Sequence, residues 1–153
     1  MFAFRSPKGT LGTHPEFRLF PSTTVREFHA NIRPGVYSDD AIPWILARLP
    51  ALETLTFSET KLPHGLPLAL TKEPVLCPNL RTIAFLDCDL NSGIIKGLGE
   101  AITKRRDSTA AHVHRVVIVS STGVLPNLAS IQQLRKCVPR VDARVDDELP
   151  DLA

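Results

Sequence analysis

The sequence predicts an α/β fold, a short right-handed solenoid built on a parallel sheet. Two observations lead there. Five segments share the pattern apolar–x–x–apolar–x–apolar: VREFHA from Val25, LETLTF from Leu52, LRTIAF from Leu80, VHRVVI from Val113 and VPRVDA from Val138. They start 27, 28, 33 and 25 residues apart, and the intervals between them carry helical signals. Strand and helix in strict alternation imply parallel strands joined by right-handed crossovers. Regular spacing favours a curved solenoid, with a doubly wound sheet as the structural alternative.

Residues 1–24 hold Pro7, Pro15 and Pro21 and no amphipathic helix, so an irregular amino-terminal segment is expected before a repeat domain at 25–153. In each repeat the last two apolar positions alternate with a polar or small residue, which suits a short strand with one buried face. Such a strand must stack on copies of itself to persist. After the first strand, Ser38, Asp39 and Asp40 supply capping oxygens, and Ile42, Ile45, Leu46 and Leu49 fall on one helical face. Pro43 fits only in the first turn, and Pro50 stops the helix. The proline-rich interval from Lys61 to Pro78 has room for a short helix around Leu66–Leu70. After the third strand Asn91 or Ser92 caps a longer helix lined by Ile94, Ile95, Leu98, Ala101 and Ile102, with Lys104, Arg105 and Arg106 at its negative end. Asn127 precedes a last stripe of Leu128, Ile131, Leu134 and Val138.

Composition narrows the function. Hydrophobic residues make up 43% of the 153, charged residues 22%, and the net charge is +2, an ordinary globular balance without the basic stripe of a nucleic-acid binder. That charge makes a nucleic-acid partner unexpected, and no apolar run reaches the roughly 18 residues a span needs, so no membrane partner is expected. Three cysteines, Cys77, Cys88 and Cys137, are an odd set far apart, which suits free thiols and an intracellular setting, cytoplasmic or nuclear.

The stretch CPNLRTIAFLDCDL, Cys77 to Leu90, resembles the cysteine-containing leucine-rich repeat, with Leu80, Ile83, Phe85 and Cys88 at the pattern positions. LPALETLTF, from Leu49, is similar with Leu-Pro in place of Cys-Pro. The end from Leu134 resembles that of many fungal F-box proteins with degenerate repeats. The resemblance spans about Val25 to Leu152 and implies irregular leucine-rich-type repeats that bind a target for an SCF-type ubiquitin ligase. Ligase adaptor and cullin would be partners only through an upstream F-box, of which no counterpart is seen before Val25. The expectation is therefore a fragment of a longer product or a repeat protein without ligase attachment.

No catalytic, cofactor or metal site is expected. Cys77 and Cys88 match no zinc spacing and read as packed side chains, and His112 and His114 lack a third ligand. Gly97 and Gly99 lie inside a helical pattern, so they form no dinucleotide fingerprint. Ser120–Gly123 reads as a turn, although backbone amides there could meet a phosphate.

The expected function is protein binding across the concave sheet face. The strand phase places there Glu27 and His29, then Thr54, Thr56 and Ser58, then Thr82, Ala84 and Leu86. Arg115, Val117 and Val119 follow, and last Arg140, Asp142 and Arg144. Leu86, Val117 and Val119 would form an apolar anchor, unless another segment covers them. The alternatives are a stand-alone repeat scaffold and a small α/β nucleotide binder with its site near Ser120–Gly123.

Overall fold

The computed structural model describes residues 2–4, 24–31, 41–58, 65–71, 75–108 and 112–145. The capping group at 38–40 and the acidic stretch from Asp146 lie outside these, as does most of the 1–24 segment.

Five strands carry the expected pattern: β2 (Glu27–Asn31), β3 (Thr54–Ser58), β4 (Thr82–Leu86), β5 (Arg115–Ser120) and β6 (Arg140–Val145). A further short strand, β1 (Phe2–Phe4), pairs beside β2. The amino-terminal segment is thus not wholly irregular, because its first residues supply a backbone partner to a strand that would otherwise be an open edge. Every strand pairs in parallel with the next in the chain, giving the order β1-β2-β3-β4-β5-β6.

Among the described residues, four helices lie in the connections: α1 (Ala41–Ala47), α2 (Gly65–Leu70), α3 (Ser92–Arg106) and α4 (Leu128–Cys137). One core unites their buried residues, among them Ile42, Leu46, Leu66, Leu70, Ile95, Leu98 and Leu134, with Leu55, Phe57, Ile83, Phe85, Val116 and Ile118 of the strands. Those strand residues alternate along the chain and so share one face of the sheet. The rings of Phe57 and Phe85 stack there with centroids 5.9 Å apart. A doubly wound sheet needs helices on both faces and a reversal of strand order; the described residues show neither.

The two long helices start as expected. The Asn91 side chain accepts from the Ile94 amide at 2.8 Å, and Asn127 accepts from the Ser130 amide at 2.8 Å. Two expectations need correction. Leu128 is 65% exposed, because it sits in the first turn of α4, before the helix meets the core. Arg105 is not a solvated complement to the α3 dipole but is 3% exposed. Its Nη1 donates to the Leu76 carbonyl at 2.8 Å and its Nη2 to the Cys77 carbonyl, tying α3 to the loop that enters β4.

Candidate functional site

The face of the sheet turned away from the helices is organised in three rows. Glu27, Thr54, Thr82, Arg115 and Arg140 are cross-strand neighbours in the first. His29, Thr56, Ala84, Val117 and Asp142 form the second, and Asn31, Ser58, Leu86, Val119 and Arg144 the third. Each expected face residue thus falls in one of these rows. Asn31 was missed, although the alternation that selects Glu27 and His29 also reaches it.

The middle of the face is closed. Ala84, Leu86, Val117 and Val119 form a separate apolar cluster at 1–4% exposure, with Thr56 at 4% and Ser58 at 8%. No helix residue joins that cluster among those described. The expected apolar anchor at Leu86, Val117 and Val119 is therefore withdrawn from solvent rather than open to a partner. The run Val116–Val119 is apolar at every position, the mark of a strand buried on both sides. Accessible side chains are found at the ends of the rows: Glu27 at one, Arg140 and Arg144 at the other.

Polar contacts fix both ends. On β2 and β3 the Nε2 of His29 lies 2.8 Å from the Ser58 hydroxyl. Burial holds the His29 imidazolium below its usual stability, so its pKa is lowered. On β5 and β6, Nε of Arg115 donates to Asp142 Oδ2 at 2.8 Å, and Nε of Arg140 donates to both carboxylate oxygens at 3.0 and 3.2 Å. Desolvation alone would raise the Asp142 pKa. The hydrogen bonds and charges of Arg115 and Arg140 outweigh it and hold the carboxyl below its ordinary range.

At the carboxyl ends of the strands, Asp87 follows β4 with a left-handed backbone, φ 53°. Its carboxylate accepts from the Ser121 amide at 2.6 Å and from the Ser121 hydroxyl at 2.9 Å. A donor that a phosphate would use in the Ser120–Gly123 turn is thus already bound to a negative charge.

Cys77 is buried, with φ 48°, and its thiol lies 3.2 Å from the carbonyl oxygens of both Leu46 and Leu49. Burial pushes that thiol up to about 12, against the opposing charge of Arg105. Cys88 and Cys137 are half-buried. His112 and His114 are exposed ahead of β5, their rings edge to face at 6.5 Å. No cluster of three potential metal ligands occurs among the described residues, and no described helix is long and apolar enough to cross a membrane. In the helix layer two open grooves of about 570 and 380 Å³ run between α2 and α3 and between α3 and α4.

When the sequence is compared with known proteins, no family model and no curated relative matches it.

Proposed function

We propose that the chain is a protein-recognition module, a short solenoid of irregular leucine-rich-type repeats that binds a target across the face of its sheet turned away from the described helices. The observation that supports this best is the row built by Glu27, Thr54, Thr82, Arg115 and Arg140, one residue from each successive strand. Steps of 25 to 33 residues bring the same strand position to the same height each time, as stacked repeats do. A rigid array of that kind grades from acidic at Glu27, through hydroxyls, to basic at Arg140, and charge gradation steers and orients a partner. With the resemblance at Cys77–Leu90, the reading extends to the target-binding region of an F-box-type ubiquitin-ligase receptor. Ubiquitin transfer would then belong to partner subunits, and this chain would contribute no catalytic residue.

Affinity purification of the endogenously tagged protein, with mass spectrometry of its partners, tests both levels. Recovery of cullin and its adaptor supports the receptor reading, and the remaining partners are candidate targets. Protein partners without ligase subunits would leave a stand-alone repeat scaffold. Nucleotide binding by the purified chain, without protein partners, would overturn the recognition reading.

A further inference from the structure

The turns that lead into β4, β5 and β6 lie at one end of the sheet, and α3 and α4 finish at that same end. The Arg105 side chain reaches the Leu76 carbonyl at 2.8 Å, which brings the last turn of α3 beside the chain entering β4. The groove between the two helices is lined by Lys104 and Asp107 from α3 and by Cys137 from α4, so their ends are neighbours. The His114 amide donates to the Arg81 carbonyl at 2.8 Å, and the Arg140 amide to the His114 carbonyl at 3.1 Å. Arg81, His114 and Arg140 therefore stand on adjacent chains.

Charge is spread unevenly along this end. At β2 and β3 it balances, with Arg26 and Arg48 against Glu27 and Glu53, and Arg26 lies 3.9 Å from Glu53. From β4 to β6 it does not. Lys104 and Arg106 end α3, and Arg135 and Lys136 end α4. Arg81, Arg115 and Arg140 stand at the strand entries, and the acids among these seven are Asp107 and Asp142. Asp142 pairs with Arg115 and Arg140, whose side chains stay 42% and 65% exposed. The other five are exposed and have no ion pair among the described residues. Neighbouring residues outside the description do not offset this excess, because 109–111 carry no charge and Lys72 is matched by Glu73. The whole chain is only +2, so one basic end faces a remainder of opposite balance, and such a field draws an anionic partner to that end.

The chemistry of the end favours a polypeptide over a nucleic acid. Asp107 and Asp142 interrupt the basic residues, and an unbroken line of phosphates would meet them with like charge. No Phe, Tyr or Trp occurs in 75–82, 104–108, 112–116 or 135–142 for bases to stack on. A polypeptide can set carboxylates opposite the arginines and neutral residues opposite the acids. We propose that this end, where the chain enters β4, β5 and β6 and where α3 and α4 finish, docks an acidic, extended segment of a partner protein. This adds an end-on surface to the sheet face and rests on the recognition reading for the premise that the ligand is a protein. Asp146, Asp147, Glu148 and Asp151 of this chain carry the same acidic chemistry, so they enter the test.

The full chain is titrated at low ionic strength with a blocked peptide of about eight residues alternating glutamate and serine, roughly 26 Å when extended, while backbone resonances are followed. Changes are expected at Arg81, Arg106, His114 and Lys136. Arg81→Glu combined with Arg106→Glu should weaken binding about tenfold, because exposed pairs contribute little singly but add up. Arg26→Gln, in the balanced half, should leave affinity unchanged. Circular dichroism checks folding, and Lys104→Gln with Lys136→Gln serves as a second pair. Undiminished binding by both pairs overturns the proposal. So does equal affinity for an oligothymidylate of the same charge, which is attraction to any polyanion. Neutralising the four acids from Asp146 to Asp151 should have little effect; a gain of about tenfold or more would mean that this stretch, from the same or a second copy, already fills the surface, and overturns an outside partner. Resonance changes confined to Glu27 and Thr54 would overturn the end-on surface while leaving recognition across the sheet face intact.

Discussion

The guanidinium of Arg105 donates to the backbone carbonyl of Cys77, a residue held in the left-handed region at φ 48°. A cation on the last turn of α3 thus stabilises the strained entry to β4. Truncation would leave the Leu76 carbonyl without its guanidinium donor and the Cys77 carbonyl with the Leu80 amide alone, and an unsatisfied buried polar group costs about 1–3 kcal/mol. Arg105→Leu should therefore lower unfolding stability by about that amount in urea titration. Arg105→Lys should recover part of it, since an ammonium cannot span both carbonyls as the planar fork does. Arg106→Ala, on the exposed side of the same turn, should change stability by about 0.5 kcal/mol or less.

Arg105 also shows what the sequence left legible. Leu98, Ala101, Ile102 and Arg105 keep the three-and-four spacing of a buried helical face, so periodicity already marked this arginine as inward. Its neighbours Lys104 and Arg106 disguised it, because three basic residues at a helix end suit the dipole equally well. The strand rows were readable because a side-chain period of two admits a single phase once Leu55, Ile83 and Val116 must be inside. The closed centre at Ala84, Leu86, Val117 and Val119 was half-readable from the apolar run of β5. The Asp87–Ser121 link joins residues 34 apart through a backbone amide, and no local pattern encodes such a pairing.

That link carries a second prediction. Asp87→Ala removes the acceptor for Ser121 and leaves the left-handed backbone at φ 53° without the polar side chain that bonds there. The expected loss is about 1–3 kcal/mol by chemical denaturation, with faster exchange at the Ser121 amide. Asp87→Asn keeps an acceptor and tolerates the left-handed backbone, so its loss should be the smaller of the two.

Stability should fall in two stages as pH decreases. The folded-state pKa of His29 lies below its ordinary 6.5, so the unfolded chain takes up this proton first. Destabilisation therefore begins as pH drops through about 6.5 and is complete once the folded pKa is passed. Asp142 is also lowered, below its ordinary 3.8. Its contribution is fully present above that value and is lost as pH falls through the folded one. Denaturation midpoints between neutral pH and pH 3 should show both steps. His29→Gln should flatten the first and Asp142→Asn the second.

Thiol reactivity should separate the three cysteines. With its thiol pushed up to about 12 and 1% exposure, Cys77 has almost no thiolate at pH 8, and the thiolate is the nucleophile. Cys88 and Cys137, both half-buried, should be alkylated first in the folded protein. Cys77 should be labelled at the global unfolding rate, and mass spectrometry of timed samples reads this directly. Early labelling of Cys77 would mean that the loop entering β4 opens without global unfolding.

The last prediction concerns the two faces of the sheet. Leu55, Ile83 and Val116 are 0–1% exposed beneath the helices, and each contributes about 1.5–3 kcal/mol by burial. A glutamate at any of them brings an unpaired charge into that core and should unfold the domain. Thr82, half-buried in the outer row, should accept glutamate with the fold intact and only binding altered. Arg115→Gln should also stay folded, and it avoids setting a second carboxylate against Asp142. Simple alternation would class Val117 with Thr82 and Arg115, because all three lie on the face turned away from the described helices. At 2% exposure, however, Val117→Glu should behave like Val116→Glu and unfold the chain. Circular dichroism and urea midpoints of these variants distinguish the cases. A folded, stable Val117→Glu protein would mean that the centre of the face opens in solution, and would return Leu86, Val117 and Val119 to the binding surface.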